Sequence, residues 1–168
     1  MGGLRTLTRR AAPRRIATLA AVAGCVAAAW LPAPASARFT DHEANISVRA
    51  AHHFWHQVAP GVVERAGYNC GGQNVVLDWL RDLGSAMALA DLWGCRQDRP
   101  TIELERGTIR GLSDVGACGI ITHEYGHLLG FAHSPRDRSV MSGSPSRGET
   151  APRRATWERA WQHCGRRL

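Results

Sequence analysis

The chain reads as an α/β (α+β) domain, and three observations lead there. Residues 45–58 hold no glycine or proline and set Ile46, Ala50, Phe54 and Val58 at near-helical spacing, which predicts an amphipathic helix ending before Pro60-Gly61. Three short segments, 75–80, 86–92 and 101–105, have strand composition and are separated by polar or glycine-containing loops. A proline-free stretch, 115–129, lies between a capping Ser113 or Asp114 and Gly130, which predicts a second long helix.

The remaining elements follow in order. Residues 38–43 read as a short polar entry and 62–66 as a short strand. Residues 69–73 (NCGGQ) are a turn, and 107–113 connect the last strand to the second long helix. Residues 135–152 are rich in Pro, Ser, Gly and Arg and read as loop. Residues 155–163 (ATWERAWQH) read as a short terminal helix, with Trp157 and Trp161 four apart on one side, packing against the lower part of the domain. No repeat is present.

The 168 residues suggest one folded domain. Residues 1–15 carry five arginines and no acid, 16–30 are apolar and alanine-rich, and Ala35-Ser36-Ala37 is a small-residue cleavage site. This pattern predicts a signal peptide over 1–37, a folded domain over 38–168, and secretion. Val22-Ala23-Gly24-Cys25 also fits a lipoprotein box, so lipidation at Cys25 is the alternative; otherwise no membrane is expected.

The formal charge of +7 is concentrated in the leader. Residues 38–168 have 16 arginines against 14 acids, a net +2, which gives a nucleic-acid partner little electrostatic support. They also hold four cysteines, Cys70, Cys95, Cys118 and Cys164. An even count in a small exported domain implies two disulfides with three possible pairings.

The chemistry is concentrated in His123-Glu124-Tyr125-Gly126-His127-Leu128-Leu129-Gly130-Phe131-Ala132-His133, with Met141 eight residues later. His123 and His127, four apart, share one helix face and can reach one ion. Glu124 sits about 100° around the helix. That position is unsuited to the same ligand pair but suited to a general base beside the ion's open fourth position. Gly130 tolerates positive φ, so the helix can stop there and His133 can return as third ligand. The set predicts one catalytic Zn²⁺, with the need for calcium left open. His52, His53 and His56 form a second cluster without a carboxylate beside it and are expected to be a solvated helix face.

His123 to His133 with Met141 resembles the metzincin clan of zinc endopeptidases, and Ser134 after the third histidine resembles the matrixin branch; in size the chain resembles the small secreted bacterial metzincins. The resemblance implies a twisted, mostly parallel sheet with an antiparallel edge strand, a backing helix, a catalytic helix and a short C-terminal helix. It implies a hydrophobic-floor role for Met141 and an edge strand within 86–93, at Ala88, Leu89 and Ala90, that pairs with an extended substrate. The preferred disulfides are Cys70–Cys95 and Cys118–Cys164, the second resembling a tie in related metzincins. The chain departs from matrixins at Ser142-Gly143, where an aromatic–proline pair is usual, and has no tyrosine two residues beyond Met141.

The expected function is therefore a secreted zinc endopeptidase, monomeric, acting on extended peptide or protein substrates. The alternatives are a zinc amidase or peptidase acting on cell-wall peptides, and a non-catalytic secreted binding module of the same fold.

Overall fold

Helix α1 (Asp41–Val58) begins earlier than the apolar spacing indicates, because Thr40 and Glu43 form a capping box. The Thr40 side chain accepts from the Glu43 N–H, and the Glu43 carboxylate accepts from the Thr40 N–H at 2.6 Å. The polar stretch expected to be an entry loop is thus partly the first helical turn. These details come from a computed structural model that describes residues 39–71, 74–144 and 147–168. The expected leader 1–37, the lipoprotein box at Cys25 and the end of the NCGGQ turn lie outside the described residues.

Ala44, Val48, Ala51, Phe54, Trp55 and Val58 line the buried face of α1. That face packs on α4 (Asp114–Leu128), and the Trp55 indole N–H donates to the Thr122 carbonyl at 2.8 Å. Helix α4 is capped by Ser113, as expected, and buries most of its residues from Ala117 onward. A helix apolar nearly all round belongs in the middle of a domain.

Residues 62–66 are not a strand. They belong to α2 (Pro60–Ala66), which starts on a proline in its first turn, where the missing N–H costs nothing. The β-branched pair Val62-Val63 suggests a strand, but helix geometry set by Pro60 prevails. A further short helix, α3 (Arg106–Ile109), occupies part of the expected connector; the Glu105 carboxylate caps it by accepting from the Gly107 and Thr108 N–H groups.

Three strands, β1 (Val76–Leu80), β2 (Ala88–Ala90) and β3 (Thr101–Glu105), form a sheet of order β1-β3-β2. β1 runs parallel to β3, in register from Val76↔Thr101 to Leu80↔Glu105, and β2 runs antiparallel to it, with Ala88 opposite Leu104. The sheet is therefore mixed, with β2 as an antiparallel edge strand, and β2 is shorter than the 86–92 segment. Alternation on β3 buries Ile102 and Leu104 completely, in the core that also holds Trp55, Ile121 and Tyr125. The antiparallel β2 lies at the sheet edge beside α4.

After α4 the chain forms a two-residue strand, β4 (Phe131–Ala132), parallel to β5 (Glu149–Thr150). The terminal helix α5 (Trp157–Gly165) is capped by Thr156. Two disulfides are present, Cys70–Cys95 and Cys118–Cys164, matching the preferred pairing. The first joins the segments following α2 and β2, and the second ties α5 to α4.

The Cys118–Cys164 bridge closes a separation of 46 residues. A loop of this length constrains the unfolded chain by about 4 kcal/mol. Replacing both cysteines by alanine is expected to lower the melting temperature by on the order of 10–20 °C, read by circular dichroism. A change within error would mean that α5 is held by its packing alone.

Candidate metal centre

The last turns of α4 carry His123, Glu124 and His127. The His123 and His127 rings stand 4.9 Å apart between centroids, as expected for neighbours on one helix face. Gly130, at φ +96°, turns the chain out of the helix, and its N–H donates to the His127 carbonyl at 2.8 Å. The short β4 then leads to His133. The loop beyond is closed by Ser134 N–H to Met141 C=O at 2.7 Å and Gly143 N–H to Ser134 C=O at 3.1 Å.

The three imidazoles converge. His133 Nε2 lies 3.1 Å from His123 Nε2 and 3.1 Å from His127 Nε2. A carbonyl oxygen only accepts, so the contacts of His123 Nδ1 with Val140 C=O at 2.6 Å and of His127 Nδ1 with Phe131 C=O at 2.8 Å put the proton on Nδ1 in both rings. Nε2 of His123 and of His127 then carries a lone pair, and both face His133 Nε2. A cation shared by the three rings would satisfy these lone pairs. Burial pushes His123 down to about 4 and also lowers His127, so a proton is a poor candidate for that cation near neutrality.

A metal fits. Three nitrogens about 2.0–2.1 Å from a tetrahedral ion are roughly 3.3 Å from one another, close to the separations found here. Carbonyl partners on Nδ1 also orient imidazole ligands in metal sites generally. His123, His127 and His133 can therefore hold a metal ion, and they form the one group of three or more convergent ligand side chains among the described residues.

Glu124 lies beside this group at 6 % exposure, and burial raises its carboxyl to about 7. Met141 is fully buried beneath, with its Sδ against Gly126 of α4. A Cβ at Gly126 would overlap both Met141 and the Trp55 ring, so glycine permits the close approach. Met141 is thus packed tightly against α4.

A cleft of about 650 Å³ opens in front of the histidines, bounded on one side by residues 85–92. Among the described residues β2 pairs with β3 alone, residues 85–90 and Leu92 line this cleft, and Met87, Leu89 and Leu92 are 44 %, 47 % and 39 % exposed. Ala88, Leu89 and Ala90 therefore stand where the sequence expected an edge strand.

Two site features were not anticipated. Trp157 packs against the core and the chain after Gly130, as expected, but it also reaches the histidines. Its indole lies within 4° of the His123 ring plane at a centroid distance of 5.9 Å and donates to Ser142 Oγ at 2.8 Å. Trp161 stacks on Trp157 and remains 48 % exposed. The i, i+4 spacing showed that the two share a side, but nothing local shows which partner that side meets. The second feature is the carbonyl pair of Phe131 and Val140, backbone groups that no side-chain pattern marks. In the other histidine cluster, His53 and His56 are exposed as expected, but His52 is half-buried, with its ring 6.2 Å from that of Tyr125.

No family model, curated protein or solved structure matches this chain.

Proposed function

We propose that this protein is a secreted zinc endopeptidase of the metzincin type. The observation that carries the reading is the convergence of three imidazole Nε2 atoms next to a buried carboxylate, in a cleft bordered by a strand edge. The two disulfides are compatible with an exported domain.

His123, His127 and His133 would hold zinc, which when bound supplies a Lewis acid that polarises the scissile carbonyl and makes water acidic near pH 7. Glu124 accepts the proton of the attacking water and then delivers it to the departing amine, a role suited to a carboxyl whose affinity for protons lies near the operating pH. The β2 edge presents backbone N–H and C=O groups to an extended peptide, which adds as a further strand and so brings one of its carbonyls over the histidines. Met141, packed against Gly126, would serve as the apolar floor of the site.

The test is mass-spectrometric mapping of cleavage sites in a complex peptide library, with zinc and with a chelator. Internal cleavage that the chelator abolishes is the expected result. Activity confined to cell-wall peptides would replace the substrate class and keep the chemistry. Stoichiometric zinc with no hydrolysis of either kind would reduce the protein to a binding module.

A further inference from the structure

We infer that the Trp157 indole is a partition that limits the size of the substrate side chain accepted beside the reacting bond; this rests on the endopeptidase reading above. Trp157 stands at the first turn of α5 and is held from several sides. Its backbone N–H donates to Arg138 C=O at 3.1 Å, its indole donates to Ser142 Oγ, and its ring lies parallel to that of His123. On one side lies the cleft over the histidines, whose wall here is completed by Ile120, Ser142 and Gly143. On the other lies a second cavity of about 380 Å³, lined by Asp137, Arg138, Thr156, Glu158 and Trp161 as well as Trp157. Among the described residues Trp157 is the one that borders both.

The consequence is steric. A side chain entering between Ile120 and Ser142 meets the indole before it can reach the second cavity. A partition there admits short side chains such as alanine, valine and leucine and turns away a long aromatic arm. Removing the indole joins the two spaces and opens a deep, partly aromatic pocket ending near Trp161. The fixed hydrogen bond to Ser142 and the stacking on His123 make the partition rigid, so it discriminates rather than yields.

The test uses binding to zinc-loaded protein as well as hydrolysis. Alkyl hydroxamates carrying a methyl or a biphenylmethyl arm are titrated by calorimetry, alongside peptides with alanine or phenylalanine next to the cleaved bond. The wild-type chain is expected to prefer the short arm and the alanine peptide by at least about tenfold, and Trp157→Ala to lose or reverse that preference. Trp157→Phe, which keeps a ring against His123, carries the same comparison with a smaller shift should the alanine variant not fold. Unchanged preferences in folded, zinc-loaded variants would overturn the partition and leave the endopeptidase reading standing. A shifted hydroxamate preference with no peptide cleaved by either protein would uphold the partition and remove the endopeptidase. Hydroxamates that bind neither protein would remove both.

Discussion

Glu124→Ala is expected to bind zinc at one ion per chain and to lose hydrolysis by at least about 10³-fold in kcat/KM. The residue contributes nothing to the ligand triad, whose three nitrogens come from His123, His127 and His133. Its carboxylate instead lies at the edge of the cleft, buried and lifted toward neutrality, where proton transfer is most efficient. Metal content by atomic emission and hydrolysis of a chromogenic peptide, measured on one preparation, separate the two roles. Retained hydrolysis would take away the general base; lost zinc would mean that the carboxylate helps build the site.

The same residue has a signature in stability. The metal-free folded chain binds the Glu124 proton more tightly than the unfolded chain, because burial raises its carboxyl from 4.5 to about 7. Its contribution is therefore fully present below pH 4.5 and is lost as pH rises through 7. His123, lowered from 6.5 to about 4, acts in the opposite direction, weakening the fold as pH falls through that window. Glu124→Gln removes only the first effect. In urea unfolding of metal-free protein, it should exceed the wild type by on the order of 2–3 kcal/mol at pH 8, and the gain should vanish by pH 4.5. Zinc should shrink the gain at pH 8, since a dication favours the charged carboxylate. A gain independent of pH would contradict the burial of an ionising group there.

What the sequence made legible followed from short-range geometry. His123 and His127 at i, i+4, and Gly130 as the helix stop, depend on helix period and on one residue's tolerance of positive φ, so both could be read directly. Strand 101–105 was legible from its alternation and strand 76–80 from its apolar, β-prone composition, both of which are local. The start of α1 was missed although Thr40 and Glu43 are a capping box, because apolar spacing was weighted above capping chemistry. Val62-Val63 misled because β-branched pairs suit strands, while Pro60 had already set helical geometry. The place of Trp157 was beyond reach: its partners, His123 and Ser142, are 34 and 15 residues away in the chain, and only the loop through Met141 and the Cys118–Cys164 tie bring α5 to them.

Gly130→Ala is expected to cost roughly 3–5 kcal/mol of stability and at least about 100-fold in zinc affinity. Two independent effects add. At φ +96° the backbone has a conformation that residues with a Cβ rarely adopt, and an alanine Cβ there would overlap the Trp93 ring, including one carbon at 2.6 Å. Trp93 cannot easily give way. It sits at φ 67° itself, its N–H donates to the His127 carbonyl at 3.0 Å, and the Arg96 guanidinium lies 4.4 Å over its ring. The strain must then be relieved on the other side, through β4, and His133 lies immediately beyond β4. A displacement of about 1 Å at that histidine exceeds what a metal site tolerates in ligand distance. Isothermal titration with zinc and thermal melting of the metal-free chain measure the two consequences separately. Helix α4 should survive, so far-UV circular dichroism should stay close to that of the wild type while the third ligand is lost. Wild-type zinc affinity in a fully folded Gly130→Ala chain would show that the corner does not aim His133, and that the third imidazole finds the ion by some other constraint.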